Sequence, residues 1–129
     1  MENYVVKGEH GDFFIPDISF DIETGIFEIT GESYLEDTVE FYSPLIEWIK
    51  QFTEEYTKPI TVNFKLSYYN TSSSRSLLDI LNAIKEYERR GNDVEVNWYH
   101  KGSDPEVEEE VEDYMLDTEL KINLVEYNR

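Results

Sequence analysis

Apolar and polar residues alternate along five stretches of this chain and recur at three- and four-residue spacing along three others. Within Phe13–Asp21, Phe14, Pro16, Ile18 and Phe20 alternate, which predicts a strand. Pro16 offers no N–H and so pushes that strand to a sheet edge. Glu23-Thr24-Gly25 is a turn, and Ile26–Thr30 alternates again as the second arm of a hairpin. Ile60, Val62, Phe64, Leu66 and Tyr68 share one face of a strand over Ile60–Tyr68. Val94, Val96 and Trp98 form the next strand, and Leu120, Ile122 and Leu124 with Val125 and Tyr127 the last. From about Thr38 the spacing of Phe41, Leu45, Trp48, Ile49 and Phe52 predicts a helix that ends before Lys58-Pro59. Asp37 and Thr38 are candidate caps. Pro44 either kinks the early turns or marks a later start, with Ser43 as cap. Leu77, Leu78, Leu81, Ile84 and Tyr87 trace a second helix, closed by Arg89-Arg90-Gly91. Lys101–Pro105 turns into a third, whose inner stripe is Val107, Val111, Tyr114 and Met115. The first ten residues carry no such pattern and read as a loose lead-in.

The order β-β-α-β-α-β-α-β predicts an α/β fold: a mixed sheet with an opening hairpin and about three helices packed on it. A chain of 129 residues suits one domain. Apolar residues make up 40%, enough for a core despite the charge. The formal net charge of -18 repels phosphate backbones, so nucleic acid and anionic membranes are excluded as partners and a basic protein surface is favoured. With no cysteine there is no disulfide, thiol nucleophile or thiolate metal site. No apolar run reaches membrane-spanning length, and Met1–Lys7 lacks the start of a signal peptide, so the expected location is cytoplasmic.

Candidate chemistry concentrates where the third strand meets the second helix. Asn70, Thr71, Ser72, Ser73 and Ser74 stand in a row there, followed by Arg75. A helix start presents unpaired N–H groups and partial positive charge, so such residues either cap it or offer a place for a phosphate. One cap needs one residue, and here there are five. Arg75 could help to hold an added phosphate. Other candidates have plainer explanations. The acidic run Asp104, Glu106, Glu108, Glu109, Glu110, Glu112 and Asp113 lacks the glycine and alternation of a calcium loop and reads as a solvated helix face. His10 and His100 have no nucleophile at meaningful spacing and read as exposed structural residues. Neither glycine-rich phosphate loop is present, so any ATP used on this chain is bound by another protein. No cofactor site follows. Of the aromatic set, Tyr68 and Trp98 alternate inward, whereas Tyr69 and Tyr99 fall on the other register and are candidate partner anchors.

Four blocks, in this order, resemble the SiaC-type regulatory phosphoprotein family: Gly31–Asp37 (G-E-S-Y-L-E-D), Tyr68–Leu81 (Y-Y-N-T-S-S-S-R-S-L-L-D-I-L), Gly91–His100 (G-N-D-V-E-V-N-W-Y-H) and the acidic stretch with its terminal strand. The likeness covers the chain from the hairpin onward. It implies a STAS-like fold and a non-enzymatic role in bacterial partner switching. The implied partners are a cognate serine/threonine kinase, a metal-dependent protein phosphatase and an effector, in the best-known system a diguanylate cyclase that the unphosphorylated form activates. The family's phosphoacceptor is the threonine of N-T-S-S, here Thr71. The resemblance further implies a docking surface over Glu32, Ser33, Tyr34, Leu35, Glu36 and Asp37, together with Tyr69, Asn70, Ser72, Ser73, Ser74 and Arg75. Leu35 stands where the family commonly has proline.

Two readings from other classes compete. One is a small hydrolase using paired carboxylates such as Glu32 and Asp37 beside Thr71, which needs a water-excluding cleft. The other is a passive STAS-like module for a small ligand or protein.

Overall fold

The computed structural model describes residues 1–127. Strands β1 (Tyr4–Val6), β2 (Glu9–His10), β3 (Phe14–Ile15), β4 (Asp17–Phe20) and β5 (Ile26–Ser33) precede helix α1 (Thr38–Glu55). Then follow β6 (Ile60–Tyr69), α2 (Thr71–Arg89), β7 (Val94–Lys101), α3 (Pro105–Thr118) and β8 (Ile122–Tyr127). The main sheet has the order β1-β4-β5-β6-β7-β8, and β2 with β3 forms a separate small ribbon. β1, β4 and β5 run antiparallel, whereas β5 to β8 are mutually parallel. Parallel neighbours need long crossovers, and the three helices supply them. The predicted mixed sheet with three helices is the observed architecture.

The helices cover one face of the sheet. Phe27 and Ile29, Val62, Phe64 and Leu66, Val96 and Trp98, and Ile122 point into a core shared with Leu45, Ile49, Phe52, Leu77, Ile80, Leu81, Ile84 and Val111. The opposite register carries Glu28, Asn63, Asn97 and Asn123, aligned across four strands. Asn123 Nδ2 donates to Asn97 Oδ1 at 3.0 Å, Asn97 Nδ2 to Asn63 Oδ1 at 2.9 Å, and Asn63 Nδ2 to Glu28 Oε2 at 3.0 Å. The Lys65 ammonium, 3.0 Å from Glu28, holds that carboxyl below the usual range.

The chain start differs from the expected loose lead-in. Tyr4–Val6 adds an antiparallel edge strand to β4, and Trp48 Nε1 donates to the Glu2 carbonyl at 2.8 Å. Three residues are too short to show a period, but Tyr4 packs against Phe20 and Trp48 and pins the segment. Pro16 divides the predicted first strand into β3 and β4. β4 is therefore not an edge, since β1 pairs with its outer side. The turn residue Gly25 has φ 72°, and a Cβ there would lie 2.4 Å from the Pro59 carbonyl oxygen, so only glycine fits. α1 starts at Thr38 with Asp37 as cap, accepting from Glu40 N–H at 3.0 Å, and carries Pro44 within it. Ser43 and Pro44 lie on the solvent side, where water can serve the carbonyl that Pro44 leaves without a donor. Among the described residues no helix is long and apolar enough to cross a membrane.

Candidate functional site

The polar run at the start of α2 divides its work among its members. Asn70 is the cap, extended at φ −82° and ψ 170°, and its side-chain oxygen accepts from Ser73 N–H at 3.0 Å. Ser73 Oγ donates to the same oxygen at 2.5 Å, and Ser72 Oγ does so at 3.2 Å. Ser74 Oγ donates to the Thr71 carbonyl at 3.0 Å. Thr71, the first helical residue, is exposed, and among the described residues its hydroxyl has no hydrogen-bond partner.

Behind the cap lies a buried hydroxyl relay. Ser33 Oγ sits 2.8 Å from Ser73 Oγ and 2.7 Å from Tyr42 Oη. The direction follows from proton count. The Asn70 oxygen can only accept, so Ser73 gives its proton there and must accept from Ser33, which in turn accepts from Tyr42. Burial pushes the Tyr42 hydroxyl up to about 12, against the lowering effect of Ser33, so the phenol stays protonated and donates. Asn70 N–H also donates to the Ser33 carbonyl at 3.0 Å, tying the end of β5 to the start of α2.

Two of the predicted docking residues, Ser33 and Ser73, are thus fully buried and cannot touch a partner. Their hydroxyls are consumed inside, holding the surface residues in place. Leu35 is also buried. The aromatic assignment at the strand end is reversed: Tyr68 is exposed, and Tyr69 packs edge-on against Trp98. A β-bulge is the cause. Gly31 pairs with Leu66 but Glu32 with Tyr68, so Ser67 is the extra residue and the inward phase slips by one. Gly31 has φ 109° there, a conformation glycine adopts freely. His100, read as exposed, lies inward with Trp98 and is 8% exposed, and its Nδ1 has no partner among the described residues.

On the α3 side, Thr71, Arg75 and Leu78 face Glu110, Asp113 and Asp117 across a groove of about 460 Å³. Tyr69 Oη donates to the Glu110 carboxylate, and burial with that carboxylate raises the Tyr69 pKa. Arg75 is occupied with Asp79 at 3.6 Å. The acidic residues of α3 from Glu106 to Asp113 are exposed, and among the described residues no group of three or more His, Asp or Glu side chains is placed to hold a metal ion. On the β5 side, Tyr34 is exposed beside Phe13 and Tyr68, while Glu36 and Asp37 line a second cleft. Asp37 is engaged as the α1 cap, which weakens its case as half of a hydrolytic carboxylate pair.

Sequence reasoning missed Tyr42, Phe13 and the outward turn of Tyr68. Ser33 held a usable signal, a polar residue on the inward register of β5 that needs a buried partner. Nothing in β6 alone announces the bulge, because it is a mismatch between two strands.

The fold and site define a mixed α/β domain that presents an exposed, uncommitted hydroxyl at the start of α2. A family model described as SiaC family regulatory phosphoprotein matches residues 9–127, and the chain belongs to that family. It is 29% identical over 102 residues to an uncharacterised protein of Pseudomonas aeruginosa strain UCBPP-PA14, covering 79% of this chain and 81% of that one. The solved structure of SiaC of Pseudomonas aeruginosa superposes with a TM-score of 0.86 at 25% identity, over 98% of this chain and 100% of that one. SiaC solved in complex with the diguanylate cyclase SiaD, of which it is the activator, gives 0.84 at 25% identity, over 95% and 100%.

Proposed function

We propose that Thr71 is the phosphoacceptor of a partner switch, and that its unphosphorylated form docks on and activates a diguanylate cyclase. The observation that carries this is the uncommitted Thr71 hydroxyl: Asn70, Ser72, Ser73 and Ser74 all use their side chains locally, and of the five only the exposed Thr71 has no local partner among the described residues. The activator role of SiaC towards SiaD supports the choice of effector. A serine/threonine kinase with ATP installs the phosphate, and a metal-dependent phosphatase removes it. On this reading the protein works in the cytoplasm, where a kinase finds its ATP.

The phosphate adds up to two negative charges at the positive end of α2, which favours it by about 0.3–1 kcal/mol. Glu110, Asp113 and Asp117 oppose it from across the groove. The dianion therefore turns outward, where it meets the partner. The docking surface comprises Glu32, Tyr34, Glu36, Asp37, Ser72 and Arg75 around Thr71, with Ser33, Asn70 and Ser73 as its internal support.

Incubation with the cognate kinase and ATP, read by intact mass, tests the acceptor. The parent gains one phosphate and Thr71→Ala gains none. A phosphate on Thr71→Ala refutes the assignment. Thr71→Glu loses cyclase binding by about tenfold or more, and a variant that binds as tightly as the parent refutes the switch.

A further inference from the structure

Phe13, Tyr34 and Tyr68 expose 40%, 42% and 51% of their surface. Their ring centroids lie 6.0 Å and 6.3 Å apart, so three elements distant in sequence contribute one continuous aromatic strip. Tyr34 is fixed by two backbone hydrogen bonds of 2.9 Å exchanged with Phe14, which anchor the small β2–β3 ribbon beside it. The strip runs through Phe13 into a cleft of about 450 Å³ whose apolar walls include Leu35 and Phe41 and whose polar ones are Glu36, Asp37 and Glu40. Among the described residues no lysine or arginine lines this cleft, and none of the three carboxylates makes an ion pair.

Rigid exposed aromatics grouped in this way mark protein-binding surfaces, because they bury large area at small entropic cost. The carboxylate rim selects the occupant by charge. We infer that the aromatic strip and its acid-rimmed cleft are the docking surface for the effector, and that they receive a protein segment whose apolar side chains are flanked by lysine or arginine. This rests on the reading that a partner docks around Thr71. Tyr68 lies three residues before Thr71, and the Ser33 carbonyl beside Tyr34 holds the Asn70 N–H, so a Thr71 phosphate borders the strip without covering it. An arginine of the incoming segment can stack on Tyr34 or Tyr68 as well as pair with Glu36 or Glu40.

The test is calorimetric titration of the unphosphorylated full chain against the cognate diguanylate cyclase. Tyr34→Ala and Tyr68→Ala each weaken binding about tenfold or more. Glu36→Lys combined with Glu40→Lys does the same, and the parent's affinity falls as salt rises from about 50 to about 300 mM. Leu116→Ala, which removes a leucine 79% exposed on α3, binds as the parent does. Parent-like affinity in both tyrosine variants overturns the proposal, as does a parent that fails to bind the cyclase. If sedimentation shows instead that Tyr34→Ala dissociates a self-associated parent, the occupant is a second copy of this chain, and the proposal is again overturned. Each variant is also treated with kinase and ATP. Loss of binding in the tyrosine variants of a chain that never accepts phosphate leaves the strip standing and sinks the Thr71 switch alone.

Discussion

Tyr42 shows how a single buried hydroxyl sets the geometry of an exposed one. It donates into Ser33, which donates into Ser73, which donates into the Asn70 cap. Removing a middle member hurts more than removing the end. Ser33→Ala strands the Tyr42 proton and leaves Ser73 without its donor, so a loss of about 1–3 kcal/mol is expected in urea denaturation. Tyr42→Phe removes only the first donor and leaves Ser33 able to donate onward, so about 1 kcal/mol is expected. The same phenol makes a pH prediction. Its folded pKa of about 12 exceeds the unfolded value near 10, so its stabilising contribution is complete below pH 10 and is lost as pH rises towards 12. Tyr69, Tyr87 and Tyr114 are raised as well, so Tyr42→Phe flattens part of the alkaline fall in stability and leaves the rest. A denaturation series between pH 9 and 12 on both proteins checks this; an unchanged slope in the variant refutes the assignment to Tyr42.

Elements were legible where one strand or helix fixes its own pattern, and illegible where two must be compared. The stripes of α1, α2 and α3, the alternation of β5 and that of β6 as far as Leu66 are properties of single segments, and each lies where its period placed it. The β6 bulge belongs to the β5–β6 pair, so counting along β6 alone put Tyr68 inside and Tyr69 outside. β1 is similar: its three residues acquire meaning only from β4 and Trp48. Thr71 could be singled out from its sequence likeness to a family, yet the reason for its availability, a cap already supplied by Asn70, needed coordinates. Pro44 gives this scale its own test. A proline within a helix interior costs about 3 kcal/mol, while its stiffening of the unfolded chain returns about 0.4–1. Its solvent-facing position lowers the cost further. Pro44→Ala is therefore expected to stabilise the protein by about 1–2 kcal/mol, read from the urea midpoint at unchanged slope. A destabilised variant would mean that the helix depends on the bend.

At the scale of the whole molecule, the charge says where a phosphate can act. The chain carries a formal -18, and a phosphate takes this to about -20. The long-range field thus changes by roughly a tenth, too little to turn a binding partner away at a distance, and salt screens it beyond about 8 Å. If phosphorylation controls docking, it must do so by contact, at the border of the surface it governs. That separates position from charge in one experiment. Thr57 is exposed in the loop between α1 and β6, at the end of the parallel strands opposite Thr71. Thr57→Glu and Thr71→Glu add the same charge to the same protein. The cyclase should bind Thr57→Glu within about twofold of the parent, with the small deficit vanishing as salt is raised. Thr71→Glu should lose about tenfold or more, and most of that loss should survive high salt, because at the border of the contact the docked partner covers the charge and salt screens a partly buried charge little. Equal losses from both substitutions, or a Thr71→Glu defect that salt erases, would mean that this protein switches through its overall field.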